Sequence, residues 1–152
     1  MSGIMQCGDP NWIITLQQAF DTALADTSND ASDVRFSISE EYLEPPPDLR
    51  PTSGALGWTC RIEDGKVIEF TPVPDAGADV VVQLDYSVFD ELARIIVDGD
   101  AAQQLMERRA GEALGSGRMR MTGSLGNAAA LVMAKVHDTM AKAMLVSTKE
   151  TS

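Results

Sequence analysis

The chain has little of what most catalytic or stapled proteins rely on. Its two cysteines, Cys7 and Cys60, are too few for a disulfide framework and show no metal-ligand spacing. His137 is the sole histidine, so no histidine cluster can hold a metal or pair with a nucleophile. Aromatic residues make up 5% of 152 residues, so any apolar ligand space would be bounded by flexible aliphatic side chains. Lysine and arginine number 12 against 23 acidic residues, a net charge of −11 that argues against DNA or RNA as a partner. No apolar run approaches the ~18–20 residues needed to span a bilayer. Ile4-Met5-Gln6-Cys7 has the shape of a lipoprotein box but lacks a basic segment and an apolar stretch before it. The expectation is a cytoplasmic protein with free thiols and no stable membrane insertion.

Enzyme signatures are equally scarce. There is no Gly-x-Ser-x-Gly elbow and no calcium loop. Gly115-x-Gly117 has Arg120 at the third glycine position and precedes a strand instead of following one, so it is no dinucleotide cradle. Alternation sends Glu40 and Glu41 to opposite sides of a strand, which makes them poor acid–base partners. No cofactor, metal site or catalytic residue is expected.

What is present is a clear succession of elements. Asp9-Pro10 starts a helix that carries Trp12, Ile13, Leu16, Ala19, Phe20 and Ala23 at helical spacing and fades near Ala25 to Asp26. A polar loop follows to Asp33. Val34, Phe36 and Ile38 alternate as a strand. Glu44-Pro-Pro-Pro-Asp48 reads as an extended surface connection. Leu56 to Ile62 and Val67 to Thr71 form a hairpin over Asp64-Gly65. Ala78 to Asp85 is nearly all apolar and so an interior strand. Ser87 is expected to cap a helix ending at Asp98-Gly99, and Asp100 to cap the next. Arg118 to Thr122 alternates, sending Met119 and Met121 to one face and Arg118 and Arg120 to the other. A last helix over about Ser124 to Leu145 carries an apolar stripe. The class is α+β, with a single-layer, mostly antiparallel five-stranded sheet covered by helices. The order is helix, three strands, crossover, strand, helices, strand, helix. Residues 1–152 read as one domain with a core over about 9–146 and flexible ends.

Six of eight methionines lie between Met106 and Met144, all on faces turned inward by this reading. Methionine is unbranched and polarizable and lines surfaces that adapt to irregular apolar partners. The pattern predicts an apolar cavity. From the helices before the last strand come Phe89, Leu92, Ile96, Leu105 and Met106; the strand adds Met119 and Met121, and the final helix adds Val132, Val136 and Met140. Charge is uneven: residues 1–100 hold 5 basic and 19 acidic side chains, residues 101–152 hold 7 and 4. Arg108, Arg109, Arg118 and Arg120 are candidate anion contacts at the cavity mouth.

Residues 78–131 resemble the sterol carrier protein type 2 family. The resemblance rests on Ala78-Asp-Val-Val-Val-Gln-Leu, a helix pair, and Gly117-Arg-Met-Arg-Met-Thr-Gly-Ser-Leu leading into an alanine-rich helix. Arginines stand where the family has lysines, methionines where it has aliphatics, and Ser124 where an acidic or amide residue is common. A proline-bearing acidic insert surrounds residues 40–55. The resemblance implies a non-catalytic domain that binds fatty acid, acyl-CoA or a sterol-like molecule in an apolar cavity between sheet and helices. It equally implies an alternative, since such domains also serve as dimerisation or interaction modules of a partner enzyme. High alanine, aspartate and arginine with little lysine point to a GC-rich bacterial source.

Overall fold

The computed structural model describes residues 6–26, 34–51 and 55–150. The polar loop expected up to Asp33 therefore lies almost wholly outside the described residues. The elements are α1 (Pro10–Asp26), β1 (Phe36–Leu43), a 3₁₀ turn (Pro47–Leu49), β2 (Leu56–Glu63), β3 (Lys66–Thr71) and β4 (Val80–Asp85). They continue with α2 (Tyr86–Ala93), α3 (Asp100–Gly115), β5 (Met119–Thr122) and α4 (Asn127–Glu150). The order matches the one read from hydrophobic periodicity. Among the described residues, four helices pack with an open five-stranded sheet, strand order β3-β2-β1-β4-β5. The sheet is mixed: β1 runs parallel to β4, and the other three pairings are antiparallel.

Local chemistry explains most boundaries. Asp9 Oδ1 accepts from the Trp12 N–H at 2.7 Å, satisfying an orphan donor at the start of α1. The β2–β3 turn has positive φ at both Asp64 (53°) and Gly65 (72°), the backbone of a tight two-residue hairpin. Two helix starts differ from expectation. Helix α2 begins at Tyr86 after Asp85, with no side-chain cap, so Ser87 lies inside the helix. Asp100 is the first residue of α3, and Gly99 before it makes no side-chain cap. Helix α2 also stops at Ala93, where the Arg94 N–H closes onto the Glu91 and Leu92 carbonyls. This leaves Ile96 in the following loop. His137 Nε2 meets the Ile95 carbonyl at 2.8 Å, tying that loop to α4.

The two sheet faces are closed by different means. Phe36, Ile38, Glu40 and Tyr42 share one face with Trp58, Cys60 and Ile62 of β2 and Val80, Val82 and Leu84 of β4. Helices cover this face. Phe20 of α1 packs edge-on to Trp58, and Phe89 of α2 stacks on Tyr42 with ring centroids 3.7 Å apart. Helix α4 buries Ala129, Val132, Val136, Met140 and Met144 and packs along α1. The opposite face carries Ser37, Ser39 and Thr59, all buried. The crossover 72–79 lies over them, held by hydrogen bonds. Thr59 Oγ1 donates to the Val73 carbonyl (2.7 Å), and Ser39 Oγ and Ser37 Oγ accept from the Asp75 and Asp79 N–H groups (both 2.8 Å).

Candidate functional site

The ten residues expected to surround a cavity fall into two groups. Phe89 and Leu92 of α2 and Val132, Val136 and Met140 of α4 are buried in the core. Ile96, Leu105, Met106 and Met119 are half-buried, and Met121 is 45% exposed. The second group lies on the loop after α2, on α3 and on β5. That flank is thinly packed: Ala113 is the one buried residue of α3. Helix α3 lies against β5 and α2, and α2 lies against β4, β1 and α4, so the elements carrying both groups adjoin.

The register of β5 explains the orientation of its side chains. Met121 pairs with Val82 and Met119 with Leu84, which places both methionines on the helix-covered face. Arg120 pairs with Gln83 and points to the other face. All four candidate arginines are exposed. Arg109 reaches Glu112 at 3.5 Å on α3, and Arg118 Nε donates to Ser116 Oγ at 3.1 Å just before β5.

Polar groups on the covered face were not singled out by sequence reading. The Trp58 indole N–H donates to the Tyr42 hydroxyl at 2.6 Å, and that hydroxyl donates to Glu40 Oε1 at 2.6 Å. Burial pushes the Glu40 carboxyl above its ordinary value, while the Tyr42 bond pulls it down. Burial, with the Glu40 charge beside it, likewise holds the Tyr42 hydroxyl well above the usual phenol range, so it stays a donor. The signal that could have found this chain is an acidic residue two positions before a tyrosine on an otherwise apolar strand face. Glu41 turns the other way and accepts from Gln83 Nε2 at 3.1 Å.

A concavity of about 540 Å³ lies beside the start of α1. It is open to solvent, between the start of α1, the 3₁₀ turn and the loop after β3, and Ile13, Ile14, Leu49, Leu56 and Val73 are among its lining. None of the ten expected residues lines it. Among the described residues no group of three or more histidine, cysteine or acidic side chains could hold a metal ion. Nor is any described helix long and apolar enough to cross a membrane.

No family model and no curated protein matches the chain. Solved structures do. Sterol carrier protein 2 is similar at a TM-score of 0.54 and 16% identity, over 91% of this chain and 97% of that one. A conserved hypothetical protein of Thermus thermophilus aligns at 0.49 and 20% identity over 97% and 92% of the two chains. The ubiquinone synthesis protein UbiJ-SCP2 aligns at 0.46 and 12% over 93% and 97%. The chain thus has the sterol carrier protein 2 fold, an open mixed sheet packed with helices.

Proposed function

We propose that the chain is a non-catalytic carrier that binds a lipid or fatty acyl chain between the helix-covered face of the sheet and helices α2, α3 and α4. The observation that carries this reading is the contrast within one neighbourhood. Met106 and Met119, partly uncovered, pack against the core that holds buried Phe89, Leu92, Val132, Val136 and Met140, and Ile96, Leu105 and Met121 are likewise partly uncovered on the same or flanking segments. Apolar side chains left partly uncovered on three loosely packed segments gain by closing on an apolar guest. Each buried methylene of such a guest contributes roughly 0.8 kcal/mol without any polar contact. The likeness to sterol carrier protein 2 supports the same reading at the level of fold. Fatty acid, acyl-CoA and sterol-like molecules all fit this chemistry. Arg108, Arg109, Arg118 and Arg120 would hold an anionic group outside the apolar space.

Native mass spectrometry of protein purified from cells, with displacement of a fluorescent fatty acid, tests the reading. A co-purifying lipid and saturable displacement are expected. No lipid and no displacement would overturn it. Replacing Arg118 and Arg120 by glutamine should weaken an acyl-CoA more than the matching free alcohol, and equal loss for both would reduce the arginines to surface charge.

The alternative of an interaction module needs an apolar face left open for a partner. The apolar stripe of the last helix comprises Leu125, Ala129, Val132, Val136, Met140 and Ala143; Ala129, Val132, Val136 and Met140 are buried within the chain itself, and Leu125 and Ala143 are half-buried. The carrier reading is therefore the better supported of the two.

A further inference from the structure

We propose that Glu40, held by Tyr42, is the polar terminus of this binding site and selects ligands with a neutral hydrogen-bond donor, such as an alcohol, over free carboxylates. The inference deepens the carrier reading and rests on it.

Register aligns Trp58, Glu40, Val82 and Met121 in a single row across four strands, all on the helix-covered face. Met121 stands at the open edge of the sheet, and Glu40 lies two strands further in, about 10 Å at ordinary strand spacing. Its neighbours Trp58, Val82, Ile38 and Tyr42 are all at most 6% exposed. Glu40 is nonetheless only half-buried. In this proposal the surface that Glu40 keeps inside such a ring is the inner wall of the ligand space.

The two carboxylate oxygens differ. Oε1 accepts from Tyr42. Oε2 has no hydrogen-bond partner among the described residues, yet it is not one of the sealed unpartnered atoms, which are Trp12 Nε1 and Asp138 Oδ1. It therefore faces the accessible space. Tyr42 cannot add a donor there, because its one proton is committed to Glu40 and its oxygen already accepts from Trp58. With Glu40 ionised, the terminus offers acceptors only. A hydroxyl head group supplies the missing donor, and a hydrogen bond to a charged acceptor is about twice as strong as a neutral one. A carboxylate head brings a second negative charge and no proton to share. Such a ligand is excluded from the inner end and must keep its head at the mouth.

The test is displacement of a fluorescent apolar probe from the full chain at pH 8 by dodecan-1-ol, dodecyl methyl ether and dodecanoate. The wild-type chain should bind the alcohol about tenfold more tightly than the ether, which has the oxygen but no donor, and than the acid. In Glu40→Gln and Glu40→Met the alcohol-to-ether ratio should fall about tenfold while the probe still binds. Equal binding of alcohol and ether by the wild type would overturn the inference with no variant needed. So would an unchanged ratio in variants that retain the probe, and either result leaves the carrier reading standing. A wild-type chain that takes up neither probe nor any of the three ligands overturns the carrier reading, and the role of Glu40 with it.

Discussion

Trp58 is the direct cross-strand partner of Glu40, yet its indole N–H reaches past the carboxylate to the hydroxyl of Tyr42, the next residue on that face of β1. The geometry makes Tyr42 the joint of a three-residue relay: it accepts from one neighbour and donates to the other.

Replacing Tyr42 by phenylalanine breaks both bonds at once. The Trp58 N–H and one Glu40 oxygen are left without their partner, at about 1–3 kcal/mol for each unsatisfied group. The urea midpoint of Tyr42→Phe should fall clearly below that of the wild type. An unchanged midpoint would mean that the relay contributes nothing.

Glu40 makes stability depend on pH in a definite direction. Burial raises its carboxyl above the ordinary 4.5 in the folded chain, so the native state holds the proton more tightly than the unfolded one. The contribution is fully present below about 4.5 and is lost as pH rises through the folded value. Glu40→Gln should be more stable than the wild type at pH 7.5, with the difference closing by pH 4. Denaturant titrations at the two pH values measure this. A variant less stable than wild type at pH 7.5 would contradict the assignment of burial as the dominant cause.

The two tryptophans should respond differently to the same substitution. Both lie among aromatic rings, Trp12 against Tyr42 and Phe89, Trp58 against Phe20 and Phe70. The Trp12 N–H is sealed without an acceptor, whereas the Trp58 N–H is bonded. Trp12→Phe should therefore cost about 1 kcal/mol less than Trp58→Phe in equilibrium unfolding, since it removes a donor that makes no bond. The reverse order would show that the Trp12 N–H has a partner in solution.

Both thiols should be silent in the native protein. Cys7 and Cys60 are buried, and burial pushes each to about 12. An aromatic disulfide reagent at pH 8 should label neither within minutes, and both after denaturation. Rapid native labelling of Cys60 would mean that the sheet under α1 opens readily.

Gly123 is fixed by backbone geometry. Its φ is +84°, and a Cβ there would overlap the Asp79 carbonyl oxygen. Gly123→Ala should cost about 2 kcal/mol or more, whereas Gly126→Ala, into open space, should change stability by less than about 1 kcal/mol. Thermal melts of the pair separate a structural glycine from a permissive one.

Much of the architecture was legible because it is local. The Asp64-Gly65 turn, the Asp9 cap and the alternation of Met119 and Met121 each depend on a few adjacent residues. The early end of α2 was not legible, because part of what holds the chain after it is a contact from His137, 42 residues away. Glu40 was set aside for a related reason. Alternation correctly separated it from Glu41, but the partners that give it a role, Trp58 and the register with Val82 and Met121, come from other strands.

The hydroxyl-stitched crossover has a consequence for how the chain folds. The bonds from the Asp79 and Asp75 N–H groups to the Ser37 and Ser39 hydroxyls join segments about 40 residues apart, and they form with the pairing of β1 and β4. Such non-local pairing is slow compared with closure of the β2–β3 hairpin. The Asp75 and Asp79 amides are therefore reporters of completed assembly. In pulsed hydrogen exchange they should gain protection after those of the hairpin.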